Sequence, residues 1–145
     1  MRVFLDTSVL VASVVQKHED HARAYAVLDS VQNGKEEGFV SAHSLAEMYA
    51  VLTKSPPPFR HTPEQALLSI EENVLKHFKI VGLTGSDYAV LIREAAFSGI
   101  QGGTIYDALL LRCAAKTGAG KVLTLNLRHF QTIAPENIRS QISAP

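Results

Sequence analysis

A chain of 145 residues, 46% hydrophobic and 19% charged, is long enough to bury a sizeable core in one compact domain. Its fourteen basic and fourteen acidic side chains cancel, which excludes nucleic-acid binding driven by a global positive field and leaves room only for a local basic rim. A single cysteine, Cys113, excludes an intrachain disulfide framework, so a reducing, cytoplasmic setting is expected.

Arg2 to Leu5 is short and rich in strand formers and predicts the first strand. Thr7 to Val15 is too apolar for an exposed helix and reads as a mostly buried one. It runs into His18-Glu19-Asp20-His21 without a cleavage pattern, so no signal peptide is expected. No apolar run reaches the ~20 residues of a membrane span. Asp20 to Val31 follows the helical i, i+3, i+4 pattern and is punctuated by Asn33-Gly34. Gly38 to Ser41 predicts a second strand and Ser44 to Leu52 a helix with Leu45, Met48 and Leu52 on one side. Lys54 to Pro63 carries four of the six prolines and predicts a surface excursion. Pro63 then suits the first position of a helix capped by Thr62 and running to about His77. Lys79 to Leu83 is a third strand and Ser86 to Phe97 a helix, with a flexible link through Gly99, Gly102 and Gly103. Ile105 to Lys116 is a helix stopped by Gly118 and Gly120, and Lys121 to Leu125 a fourth strand. Cys113, inside the apolar run Ala108 to Ala115, reads as a core residue. Strands alternating with helices indicate an α/β fold, a parallel sheet covered on both faces. One domain is expected over 1–145, with the tail from about Ala134 loosely held.

Asp6 is the first residue to attract chemistry. It stands where the first strand ends and the next helix begins, the position at which open α/β sheets bind ligands. Three further acids follow a hydroxyl residue by three positions: Glu47 after Ser44, Asp87 after Thr84 and Asp107 after Thr104. Each has the form of a capping box, and Asp6 has that of an N-cap. Their helix rows separate them. Asp107 shares a row with Leu110, Leu111 and Ala114, and Glu47 shares one with His43, Ala50 and Val51, whereas Asp87 lies near Glu94 and reads as a surface cap.

Asp6-Thr7-Ser8 after a strand, Ser44-Leu45-Ala46-Glu47, Ile105-Tyr106-Asp107-Ala108, and Val122-Leu123-Thr124-Leu125-Asn126 with Phe130 together resemble the PIN-domain ribonucleases. In size and order they resemble the VapC-type toxins of toxin–antitoxin pairs. The resemblance implies a three-layer α/β/α domain hydrolysing RNA phosphodiesters with Mg²⁺ or Mn²⁺. It assigns Asp6, Glu47 and Asp107 to the metal, Thr7 or Ser8 to holding Asp6 or a phosphate, and Thr124 to the hydroxyl beside the fourth acidic position. That fourth position, usually aspartate, is Asn126 here, which keeps an oxygen but lowers the charge by one. A small antitoxin, VapB-like, and a homodimer are the implied partners, and the cytoplasm the implied location. The chemistry is coherent, since crowded carboxylates raise one another's pKa values until a cation relieves them, and a hard ion that keeps its waters needs only a few oxygen ligands. Arg128 is the favoured substrate contact, ahead of Arg112, His129, Arg60 and His61. His18 and His21 have the spacing of a metal pair but lack a third ligand. A phosphatase with aspartate at this strand end needs a second aspartate where Ser8 stands, and Gly118-Ala119-Gly120-Lys121 lacks the hydroxyl of a phosphate loop because Val122 follows. The competing reading is a catalytically weakened PIN fold that binds RNA or protein.

Overall fold

Alternation along the first strand decides the architecture. In the computed structural model, which describes Met1–Pro145, β1 (Arg2–Leu5) sends Val3 and Leu5 into one hydrophobic core and Phe4 into another. A strand that divides its side chains in this way must be covered on both faces. The same division separates Val40 from Phe39 in β2 (Glu37–Ser41) and Leu123 from Val122 in the strand Lys121–Leu123. With β3 (Lys79–Val81), β4 (Lys121–Leu123) and β5 (Ile142–Ser143), these form one sheet in the order β3-β2-β1-β4-β5. Every pairing is parallel.

The first core packs α1 (Thr7–Val14), α2 (His21–Gln32), α3 (Ala42–Lys54) and α4 (Pro63–Ile70) against the sheet, through residues such as Leu10, Leu28, Met48 and Ile70. α4 continues through a π-helical turn, Glu71–Leu75, which contributes Val74. The second core packs α5 (Gly85–Phe97), α6 (Thr104–Thr117), α7 (Leu127–Ile133) and α8 (Glu136–Arg139), through Leu91, Leu110, Phe130 and Ile138. Two helical layers around a parallel sheet give the expected α/β/α sandwich. Cys113 is a core residue, and burial pushes its thiol above the ordinary range, which removes thiolate character.

The order of the strands places the site. The chain builds outward from β1 through β2 to β3, then returns to lay β4 on the other side of β1. The switch point of the topology therefore lies between β1 and β4. A crevice opens there at the carboxyl ends of the strands, where Asp6 leaves β1 and Thr124 to Asn126 leave β4.

Several local expectations are corrected. The tail from Ala134 is not loosely held: α8 and β5 dock it, with Ala134, Ile138 and Ile142 buried. β5 pairs with β4, and the Thr124 N–H donates to Ser143 O at 3.1 Å. The third and fourth strands stop at Val81 and Leu123, two residues short of expectation in each case. Two of the capping boxes do not form. α3 starts earlier than its pattern indicates because Ser41, extended at φ −73° and ψ 142°, accepts the His43 N–H and becomes the cap. Ser44 is thereby moved inside the helix and buried. α6 is preceded by Gly103, which offers no side-chain cap, so Thr104 is already helical. The boxes at Thr84–Asp87 and Thr62–Gln65 are complete.

Candidate active site

Asp6 is held at the strand end by its own backbone. Its N–H donates to Leu123 O at 2.9 Å, continuing the ladder to β4, and its carbonyl accepts from Val9 and Leu10 at the start of α1. It occupies the N-cap position, yet its side chain caps nothing. Oδ2 instead accepts from Ser8 Oγ at 2.7 Å and from Thr124 Oγ1 at 2.9 Å. Both hydroxyls are themselves oriented by backbone donors, Ser8 by Leu125 N–H at 3.1 Å and Thr124 by Asn126 N–H at 3.0 Å. Each hydroxyl proton is thus directed at the carboxylate. Asp6 is only 3% exposed, and burial raises its pKa above the ordinary carboxylate range. The Ser8 and Thr124 hydroxyls oppose that rise, and the charge of Asp107 adds to it.

Glu47 and Asp107 come to the same crevice from the two helical layers. Glu47, half-buried on α3, accepts from Thr7 Oγ1 at 2.5 Å, and Thr7 Oγ1 also lies 2.9 Å from Ser44 Oγ. One hydroxyl has one proton. The carboxylate takes it, and Ser44 donates to Thr7. Asp107, in the first turn of α6, accepts from His129 Nε2 at 2.9 Å. Burial raises its pKa, His129 opposes the rise, and Glu47 adds to it. Asp6, Glu47 and Asp107 line one open groove of about 520 Å³ together with Ser8, Leu125 and Asn126. The chain's larger hollow, about 1100 Å³ between α5, α6 and the C-terminal helices, contains none of these acids.

A family model of the PIN domain matches residues 3–134. The chain belongs to the PIN-domain family. It is 32% identical to Ribonuclease VapC40 of Mycobacterium tuberculosis over 137 residues, 94% of each protein. It is also 32% identical to Ribonuclease VapC27 of that species over 112 residues, 77% of this chain and 76% of the relative. Two solved structures share the fold. The crystal structure of VapBC2 from Rickettsia felis bound to a DNA fragment from their promoter superposes with a TM-score of 0.66 at 19% identity, covering 100% of this chain and 99% of that one. The crystal structure of M. tuberculosis VapC20, a sarcin-ricin loop cleaving toxin, superposes with a TM-score of 0.70 at 14% identity, covering 92% of this chain and 97% of that one.

Within this PIN domain the expected residues are distributed unevenly. Asp6, Thr7, Ser8, Glu47, Asp107 and Asn126 all line the groove, and Thr124 sits directly behind Asp6. Asn126 is exposed and precedes α7, with its backbone N–H on Thr124 and its side chain free of the hydrogen bonds that fix the acids. Arg128 does not join them. It lies exposed on α7 outside the groove, and its neighbour His129 makes the contact with Asp107. Arg112 pairs with Glu94 across to α5. In the sequence only its proximity to Asn126 marks His129, as a minor candidate for phosphate contact. The bond to Asp107 spans 22 residues and carries no local signature.

The donor set suits a hard divalent cation. Its ligand atoms are carboxylate oxygens, and two of the three acids are held above the ordinary range by burial and by a neighbouring acid, an electrostatic load that a cation relieves. The acids do not form a ready-made cage, since no three His, Cys, Asp or Glu side chains stand close enough to hold one ion together. Each acid has its own hydrogen-bond partners, Ser8 and Thr124 for Asp6, Thr7 for Glu47 and His129 for Asp107. An open set of oxygen donors fits an ion that keeps several waters, as Mg²⁺ does.

Proposed function

We propose that this PIN domain is a metal-dependent endoribonuclease, the toxin of a type II toxin–antitoxin pair. The observation that carries the reading is the convergence of Asp6, Glu47 and Asp107 on one groove at the switch point of the sheet. Similarity to proteins named ribonucleases over nearly the whole chain supports it.

Asp6, Glu47 and Asp107 would hold the ion, directly or through its waters. A bound Mg²⁺ or Mn²⁺ supplies Lewis acidity at the phosphodiester and lowers the pKa of the attacking water. Ser8 and Thr124 donate to Asp6, oppose the rise of its pKa with burial and fix its orientation. Thr7 fixes the position of Glu47, and His129 that of Asp107. Asn126, at the mouth of the groove, offers an amide oxygen and an amide N–H in place of the usual fourth acid. Five acids line the groove, Asp6, Glu19, Asp20, Glu47 and Asp107, so a polyanion enters favourably only once a cation has offset them. Substrate binding is thereby coupled to the metal. The partners are an RNA substrate, a small VapB-like antitoxin and a second copy of the chain, and the site of action is the cytoplasm. No helix is long and apolar enough to cross a membrane.

The rival reading, a PIN fold that binds without cutting, draws on Asn126 and on the absence of a ready-made cage. Calorimetric titration with Mn²⁺ separates the two. A competent groove takes up Mn²⁺ at or below millimolar concentration, and excess chelator abolishes RNA cleavage. A groove that binds no Mn²⁺, or cleavage that survives the chelator, refutes the proposal.

A further inference from the structure

We propose that His18 is a substrate-binding residue of this groove, donating a hydrogen bond from Nε2 to the RNA backbone. The inference rests on the ribonuclease reading above and adds how the substrate is held.

His18 lies in the turn between α1 and α2 and lines the same groove as Asp6, Glu47 and Asp107. Its Nδ1 accepts the Asp20 N–H at 3.0 Å. A lone pair used in this way leaves the neutral ring's proton on Nε2, so the free end of His18 is a donor. The ring is held a second time by Phe59, tilted at 43° with centroids 6.4 Å apart. Phe59 in turn packs on the first core. An imidazole hydrogen-bonded at one nitrogen and set against a tilted neighbouring ring has less rotational freedom to lose on binding. His21 shows the contrast. Its Nδ1 donates to the Ala12 carbonyl at 2.8 Å and its ring leans on Tyr25, which is a structural role.

The remaining lining narrows the choice of donor. An RNA backbone presents acceptors, yet no lysine or arginine lines the groove. Arg23, beside it, is engaged by Asp20. The protons of Thr7 and Ser8 are committed to Glu47 and Asp6. What remains uncommitted is His18 Nε2–H and the Asn126 amide. A neutral donor also suits the place. A lysine or arginine among five carboxylates would pair with them and displace the cation, whereas an imidazole N–H can bind a phosphate oxygen and leave the acids to the metal.

The test compares His18→Phe, which keeps the ring against Phe59 and removes the donor, with His18→Gln, whose amide N–H₂ reaches the position of Nε2. Steady-state cleavage with Mn²⁺ is read as KM and kcat. Binding of a fluorescein-labelled single-stranded RNA of random sequence is read by anisotropy with each change placed on Asp6→Asn. Loss of a hydrogen bond to a charged acceptor predicts that His18→Phe raises KM and weakens binding by about 10-fold or more. kcat stays near wild type, and His18→Gln recovers most of the loss. His18→Met, of similar bulk and without a donor, replaces the phenylalanine variant if that one fails to fold. Wild-type KM and binding in the donor-less variant overturn the assignment while leaving the ribonuclease standing, and so does a fall in kcat at unchanged KM. A wild-type protein that cleaves no RNA refutes the ribonuclease, and the assignment falls with it.

Discussion

Thr124→Val removes one buried proton and almost nothing else. The Thr124 side chain is fully buried, and valine fills nearly the same volume, so no cavity opens. What is lost is the bond from Oγ1 to Asp6 Oδ2 at 2.9 Å and the acceptor of the Asn126 N–H at 3.0 Å. A hydrogen bond to an ionised acceptor is worth about 1.5–3 kcal/mol and an orphaned buried N–H costs about 1–3 kcal/mol. Asn126 lies at the exposed rim, where water substitutes in part, so the expected loss is about 2–4 kcal/mol. Against a typical total of about 5–15 kcal/mol that is a large shift in a urea midpoint. Equilibrium unfolding in urea with a chelator present measures it, with Thr124→Ser as the control that keeps Oγ. The pH dependence gives a second reading. Asp6 has a raised folded-state pKa, so the folded protein binds this proton more tightly than the unfolded chain does. Ionising Asp6 therefore costs stability, and the cost is relieved as pH falls through the folded-state value toward the unfolded one. Losing the Thr124 contribution moves Asp6 further up, so the deficit of the variant against wild type shrinks on acidification. A valine variant within about 0.5 kcal/mol of wild type, or a serine control as unstable as valine, would show that Thr124 Oγ1 does not support Asp6 in this way.

Asp87 is held down to about 2 by Lys116 Nζ at 2.8 Å and by its capping box with Thr84. A depressed carboxylate contributes stability above its unfolded value and loses it as pH falls through the folded one. Asp87→Asn should therefore flatten the loss of thermal stability between the ordinary 3.8 and about 2, as followed by melting at stepped pH. Gly38→Ala places a Cβ 2.6 Å from two Phe78 ring carbons and 2.7 Å from Val31 Cγ1. Neither neighbour can move freely in the core, so urea unfolding should show a loss of about 1–3 kcal/mol. Ile142→Ala empties a buried position on β5 and should cost about 2–5 kcal/mol in the same assay. A near-neutral result would show that the C-terminal strand is not docked.

Much of the fold was legible because its signals are local. The strand Arg2 to Leu5, the apolar helix after Asp6 and the rows of Leu110 and Met48 each announce themselves within a few residues. β5 did not, since its two residues, Ile142 and Ser143, become a strand only by lying beside β4. The capping boxes at Glu47 and Asp107 do not form for a related reason: a hydroxyl three residues before an acid is permissive, and Ser41 and Gly103 take the N-cap positions instead. Asp6, Glu47 and Asp107, singled out by their joint pattern, line one groove. Their supports, Thr7 to Glu47 across 40 residues and Thr124 to Asp6 across 118, are long-range contacts that local spacing does not encode. Thr7, Ser8 and Thr124 were singled out by resemblance, and the structure supplies the hydrogen bonds that explain them. His129 had no such guide.

Central to the account is that the Asp6 carboxylate is required for RNA cleavage and dispensable for the fold. Asp6→Asn keeps an oxygen where Ser8 and Thr124 can still donate, and it removes the ionised group that burial penalises. The direct measurement is cleavage of a defined RNA panel with Mg²⁺ or Mn²⁺, wild type against Asp6→Asn, with far-UV CD and melting on the same samples. Only wild type should cleave, and Asp6→Asn should show an unchanged CD spectrum and a melting temperature in chelator at or above that of wild type. Full cleavage by Asp6→Asn would show that the Asp6 carboxylate is not needed for the chemistry.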